Sequence, residues 1–211
     1  CIIFALNYSH RQQMADFDIN ILGCGSALPT TRHLATSQIV DLRDKLYMID
    51  CGEGAQLQFR KSHLKFSRLN HIFISHLHGD HCFGLLGLIS TLNLLGRTAE
   101  LHIHSPKGLE ALLTPMLDFF NRQMTYKVLF HEFDTKEPML IYEDRSLTVT
   151  TIPLRHRMPC CGFLFAEKRR PNHIIREMVD FYQVPVYELN RIKNGADYVT
   201  PEGKTVSNNL L

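Results

Sequence analysis

The chain has 211 residues, 45% of them hydrophobic, with 23 Lys and Arg against 21 Asp and Glu and a formal net charge of +2. That length and apolar fraction exclude an intrinsically disordered chain and allow one substantial core or two small ones. No apolar run approaches the roughly 18 to 20 residues of a membrane-spanning helix, and a net charge near zero requires any nucleic-acid contact to gather its positive charge locally.

Cys1 to Leu6 are apolar, but the run is short, lacks a basic lead-in and is followed by His10, Arg11, Gln12 and Gln13 instead of a cleavage site. Regular patterning starts after Met14, so residues 1–13 read as a leader or upstream extension ahead of a domain over 14–211. Phe17 to Leu22 alternate as a strand and break at Gly23-Cys24-Gly25. This pair of glycines lacks a third and no helical pattern follows it, so no nucleotide cofactor is expected. Ser37 to Leu42 and Lys45 to Asp50 form a predicted hairpin around Arg43-Asp44, and Glu53 to Ser62 have helical composition. His71 to Ser75 read as a buried strand. A helix then runs through Leu85, Leu88, Ile89 and Leu92 to its stop at Gly96.

Glu100 to Ser105 and Tyr126 to Phe133 are predicted strands flanking a helix from Leu109 to Phe120, broken or restarted near Pro115. Met139 to Glu143, Leu147 to Leu154 and Gly162 to Glu167 follow as three strands. Two helices are then expected, one through Ile174, Met178 and Phe181 and one over Val186 to Ile192. Residues 168–193 hold six basic side chains, Lys168, Arg169, Arg170, Arg176, Arg191 and Lys193, against three acidic ones. The remainder of the chain is thus left near −1. The six cysteines show no CxxC pair and no regular spacing, which fits free thiols in a reducing, cytoplasmic setting.

The chemistry concentrates in His76-Leu77-His78-Gly79-Asp80-His81. Alternation at a strand end sends His76 and His78 to one side, Gly79 lets the chain turn, and Asp80 and His81 return toward the same space. Neutral imidazoles with a carboxylate suit zinc and similar divalent ions. Four ligands this close cannot wrap one ion tetrahedrally, so two metals are expected, with further ligands from elsewhere. The best later candidate is His156, at a strand end before Pro159-Cys160-Cys161-Gly162; position alone leaves it evenly divided between ligand and surface histidine. His102 and His104 repeat the His-x-His spacing inside a strand pattern and read as structural, as do His10, His33, His63, His71, His131 and His173.

His76 to His81 resemble the HxHxDH signature of metallo-β-lactamase-fold hydrolases. More narrowly, the chain resembles ribonuclease Z, the tRNA 3′-processing endonucleases, through Leu22 to Thr30 with Arg32, Ile49 to Gln56, and Gly84-Leu85-Leu86-Gly87-Leu88. The resemblance implies a four-layer α/β/β/α sandwich with its second half incomplete. It implies one zinc on His76, His78 and His156, the other on Asp80 and His81, with manganese or another divalent ion as a substitute. Asp80 would accept a proton, and Asp50 would hold the ligands from behind. The implied activity removes the 3′ trailer from precursor tRNA and leaves a 3′-hydroxyl. An arm over residues 168–195 would grip tRNA through the six basic side chains and reach across a homodimer.

The chain departs from the family pattern in three places. Ser75 stands where Thr is commoner, Val184-Pro185-Val186-Tyr187 replaces a Gly-Pro pair, and family members continue past the position of Leu211 with a Gly-Asp-Thr-like stretch and a last His. Five ligands of the expected set are therefore present. Two alternatives remain: a hydrolase of small phosphodiesters or other esters on the same metals, and an inactive, truncated metal- or RNA-binding fragment.

Overall fold

A computed structural model of the chain describes residues 17–28, 30–168 and 172–211, and the backbone of Ile3–Leu6. The chain divides into two compact units, Cys1–Lys168 and Arg169–Leu211.

In the first unit β2 (Phe17–Gly23), β3 (Ser37–Leu42) and β4 (Lys45–Cys51) form an antiparallel meander. β5 (Leu69–Phe73), β6 (Leu101–Pro106) and β7 (Val128–Phe133) then add in parallel, giving a six-stranded sheet in chain order. Parallel neighbours need long crossovers. These contain helix α1 (Ala55–Lys61), then α2 (Gly79–Cys82) with α3 (Leu85–Leu94), then α4 (Leu109–Phe120). A second sheet has the order β1 (Ile3–Leu6), β10 (Cys160–Glu167), β9 (Leu147–Leu154), β8 (Leu140–Glu143). Ile3–Leu6 come from the stretch expected to precede the folded pattern, and they pair in parallel with Phe163–Ala166. The remainder of residues 1–13 lies outside the described residues.

Strand alternation on the six-stranded sheet feeds two cores. Ile72 and Ile103 face the helices with Phe59, Leu85, Leu88, Leu113 and Leu117. Val40, Tyr47, Ile49 and Phe73 face the second sheet and pack on Val149, Phe163 and Phe165. Helix, sheet and sheet thus supply three layers of the expected sandwich. Burying a Phe or Leu side chain contributes about 1.5–3 kcal/mol, so these two interfaces hold the unit together.

The predicted strands and helices recur within a few residues of their expected ends, with one substantive difference. α4 runs unbroken through Pro115. Leu109, Leu113 and Leu117 form its buried edge, whereas Pro115 lies on the exposed face, where water can satisfy the carbonyl that the proline leaves without an amide partner. Cys24, Cys51, Cys82, Cys160 and Cys161 are free thiols, as expected.

The second unit has its own small core of Val179, Val184, Ile192, Tyr198, Val206 and Leu211. Around it lie α5 (Arg176–Phe181), α6 (Leu189–Lys193) and a hairpin of β11 (Tyr198–Val199) and β12 (Thr205–Val206). Among the described residues, no helix is long and apolar enough to cross a membrane.

Candidate metal centre

The site forms at the carboxyl ends of parallel strands, where open α/β sheets present their ligand-binding loops. Asp50 is the penultimate residue of β4, and its backbone adopts a left-handed φ of 55°, a conformation Asp tolerates better than most residues. β5 ends two residues before Ser75, and the chain enters His76-Leu77-His78 and the single turn of α2. The two loops pack backbone against backbone. A Cβ on Gly84 would lie 2.2 Å from the Gly52 carbonyl oxygen and one on Gly52 2.4 Å from that of Asp80, so both positions depend on glycine.

Asp50 is fully buried. Its Oδ1 accepts from the Ser75 amide at 2.8 Å and its Oδ2 from the Ser75 hydroxyl at 3.0 Å. The same Oδ2 lies 2.7 Å from His81 Nδ1, which turns His81 Nε2 toward Asp80, 3.5 Å from Oδ2. Ser75 Oγ is also 3.2 Å from Nδ1 of both His76 and His81. Ser75 is therefore the hub of the buried network. In the sequence Ser75 stands out only as a departure from Thr, and its place directly before the first histidine is the signal for this role.

With Nδ1 facing Ser75, His76 presents Nε2 outward, 3.0 Å from His78 Nδ1. His156 follows β9 and comes from the second sheet, and its Nε2 lies 3.2 Å from the same His78 Nδ1. These three nitrogens all fall within 4.8 Å of one another and could hold one metal ion. His76 is buried, His78 half-buried and His156 exposed, so the cluster opens to solvent on one side. Burial, followed by the neighbouring His81, pulls the His76 imidazole down to about 4, which keeps it neutral, the form that ligates. The two sheets are tied beside the cluster by the Cys161 amide, which donates to the Ser75 carbonyl at 3.0 Å. Burial and then the Asp50 charge push the Cys82 thiol up to about 11, and its Sγ donates to the His78 carbonyl at 3.4 Å.

The sequence-predicted residues thus divide. His76, His78 and His156 meet as one cluster, and Asp80 and His81 stand together beside it, the His81 ring 3.8 Å from that of His76. Asp50 lies behind them, against Ser75 and His81. In the basic segment, Lys168 pairs with Glu143, Arg176 with Asp180 and Arg191 with Glu188, and Lys193 is half-buried. Arg169 and Arg170 lie outside the described residues.

A family model described as Anti-Pycsar protein Apyc1 matches residues 17–169, well over half of the chain. The chain belongs to this family. Among the curated proteins, it is 79% identical to a ribonuclease Z of Bacteroides fragilis over 198 residues, covering 94% of this chain and 65% of that protein. It is 77% identical over 198 residues to a ribonuclease Z of Bacteroides thetaiotaomicron, covering 94% and 63%. The chain thus spans less than two thirds of the length of these relatives. The human tRNase Z short form superposes with a TM-score of 0.66 at 25% identity, covering 87% of this chain and 85% of that one. A metallo-β-lactamase-fold protein of Bacillus subtilis, YhfI, superposes with a TM-score of 0.52 at 15% identity, covering 78% and 66%, and so shares the fold. The resemblance to ribonuclease Z and the metallo-β-lactamase fold read from the sequence is borne out.

Proposed function

We propose that the chain carries the metal-binding core of a zinc-dependent endoribonuclease that removes the 3′ trailer from precursor tRNA and leaves a 3′-hydroxyl. The observation that carries this reading is the convergence of three imidazole nitrogens beside Asp80 and His81, in a chain 79% identical to a ribonuclease Z. The activity belongs to the whole protein, since the chain covers 65% of that relative.

The donor set fits a borderline divalent ion, because three neutral imidazoles with a carboxylate alongside are the ligands such ions prefer. His76, His78 and His156 would hold one ion, Asp80 and His81 a second; zinc is the first choice and manganese a substitute. Such ions supply a nucleophilic water at neutral pH and positive charge for the phosphoryl oxygens. Asp80 orients the attacking water and accepts its proton. Asp50 and Ser75 fix the imidazole tautomers, so that the outward nitrogens carry lone pairs. Lys168, Arg169, Arg170, Arg176, Arg191 and Lys193 bind tRNA phosphates, a contact that weakens with salt. The protein works as a homodimer in the cytoplasm.

Cleavage of a precursor tRNA by the full-length protein tests the reading. Asp80→Ala should lower turnover by about 100-fold or more, with tRNA binding retained. Faster turnover of a small phosphodiester than of precursor tRNA by one purified sample would replace the tRNA reading with the small-ester one.

A further inference from the structure

A second set of histidines lies on the face of the six-stranded sheet that looks toward the second sheet. His102 and His104, two residues apart on β6, share that face. Parallel register places His71 of β5 opposite His102, and His131 of β7 opposite His104. The rings stack as His71 on His102 and His104 on His131, each pair with centroids 4.8 Å apart. The nitrogens meet diagonally. His71 Nδ1 is 3.3 Å from His104 Nε2, and His102 Nδ1 is 2.9 Å from His131 Nε2.

The two diagonal pairs differ in access. His104 is 3% exposed with its ring stacked on Phe73, and His71 beside it is half-buried, so the inner pair is the less accessible. The outer pair is open, since His131 is exposed and the His102 side chain retains 26% of its accessible surface. The far nitrogen of His102, Nε2, lies 3.9 Å from the Glu100 carboxylate. A carboxylate there favours the proton on Nε2 and leaves the Nδ1 lone pair facing His131. At 3.9 Å the Glu100 charge biases the tautomer without a hydrogen bond, in the sense that carboxylates orient metal-ligating imidazoles. Two imidazole nitrogens on one tetrahedral zinc, at 2.0–2.1 Å each, stand about 3.3 Å apart. A small ring rotation would open the observed 2.9 Å to that value.

We propose that His102 and His131 form a further divalent-metal site, a two-imidazole surface clamp for a borderline ion such as zinc, with the Glu100 charge favouring the ligating tautomer of His102. It is separate from the His76, His78 and His156 cluster and independent of the function proposed for that cluster.

Calorimetric titration of the metal-free protein with zinc alone tests the site. The expected result is binding at the centre formed by His76, His78, Asp80, His81 and His156, and one further, weaker event that is lost in His102→Gln and in His131→Gln. Glu100→Gln should weaken the latter by about tenfold. The double variant His76→Ala/His156→Ala should keep it. Because His131 faces solvent, His131→Gln provides a folded reading should His102→Gln fail to fold. Persistence of the weaker event at unchanged affinity in His131→Gln, or its disappearance in His76→Ala/His156→Ala, would overturn the proposal.

Discussion

His81 Nδ1 lies 2.7 Å from Asp50 Oδ2, and this contact places a buried histidine of α2 under the control of a fully buried carboxylate near the end of β4. The same carboxylate holds the Ser75 amide and hydroxyl. Removing it strands several polar groups at once. Asp50→Ala should cost about 3–5 kcal/mol in urea unfolding, since each buried group left unpaired costs about 1–3 kcal/mol. Asp50→Asn, which tolerates the left-handed φ and keeps one acceptor, should cost less than half as much. Equal losses in the two variants would show that the network contributes only packing.

Gly84→Ala tests the seam between the two loops of the site. The added Cβ would meet the carbonyl oxygens of Gly52 at 2.2 Å and Cys51 at 2.8 Å, and the Gly84 amide already donates to Cys51 at 2.8 Å. Neither obstruction is a side chain that can swing aside. A loss of about 1–3 kcal/mol is expected from the forced backbone shift, together with weaker zinc binding. A variant as stable as the parent would mean that the seam is loose.

His71 and His104 give a pH dependence with a definite sign. Burial, followed by repulsion from His102, pulls His71 down to about 3, and burial, followed by repulsion from His71, pulls His104 down to about 3, from an ordinary value of 6.5. The unfolded chain therefore takes up protons below pH 6.5 that the folded chain refuses until about pH 3. The stability these groups allow is complete above pH 6.5 and declines as the pH falls through that window, by about 1 kcal/mol per group per pH unit. In metal-free urea titrations between pH 7.5 and 4.5, His104→Gln should show a shallower slope than the parent protein, whatever its absolute stability. Parallel slopes would refute the assignment.

Asp144 acts in a more acidic range. Burial alone would raise its carboxyl, but hydrogen bonds from Lys45, the Leu147 and Ser146 amides and Tyr47 outweigh burial and hold it well below the ordinary carboxylate range. Its stabilisation is thus present above the ordinary carboxylate value and is lost only in stronger acid. Asp144→Ala frees the Ser146 and Leu147 amides, bonded at 2.6 and 2.9 Å, and the Tyr47 and Tyr142 hydroxyls, at 3.0 and 3.1 Å. A loss of about 2–3 kcal/mol at pH 7 is expected, and Asp144→Asn should recover part of it.

Much of this fold is legible in the chain because local pattern and tertiary packing agree. Leu147 to Leu154 alternate and form β9 over those same residues, and the His76 to His81 spacing predicts the convergence seen at the end of β5. Pro115 misled because a helix is decided by its buried edge, and the proline falls on the wet side. His156 could not be assigned from position alone, since it joins the cluster only when the second sheet packs on the first. The four imidazoles of β5, β6 and β7 were individually visible and collectively hidden, because strand register, which sequence does not spell out, aligns them.

His156 approaches from one sheet, and His76 and His78 from the other. An ion captured among them would therefore clasp the sandwich shut like a rivet, and the protein's resistance to unfolding would rise and fall with the free metal in its surroundings.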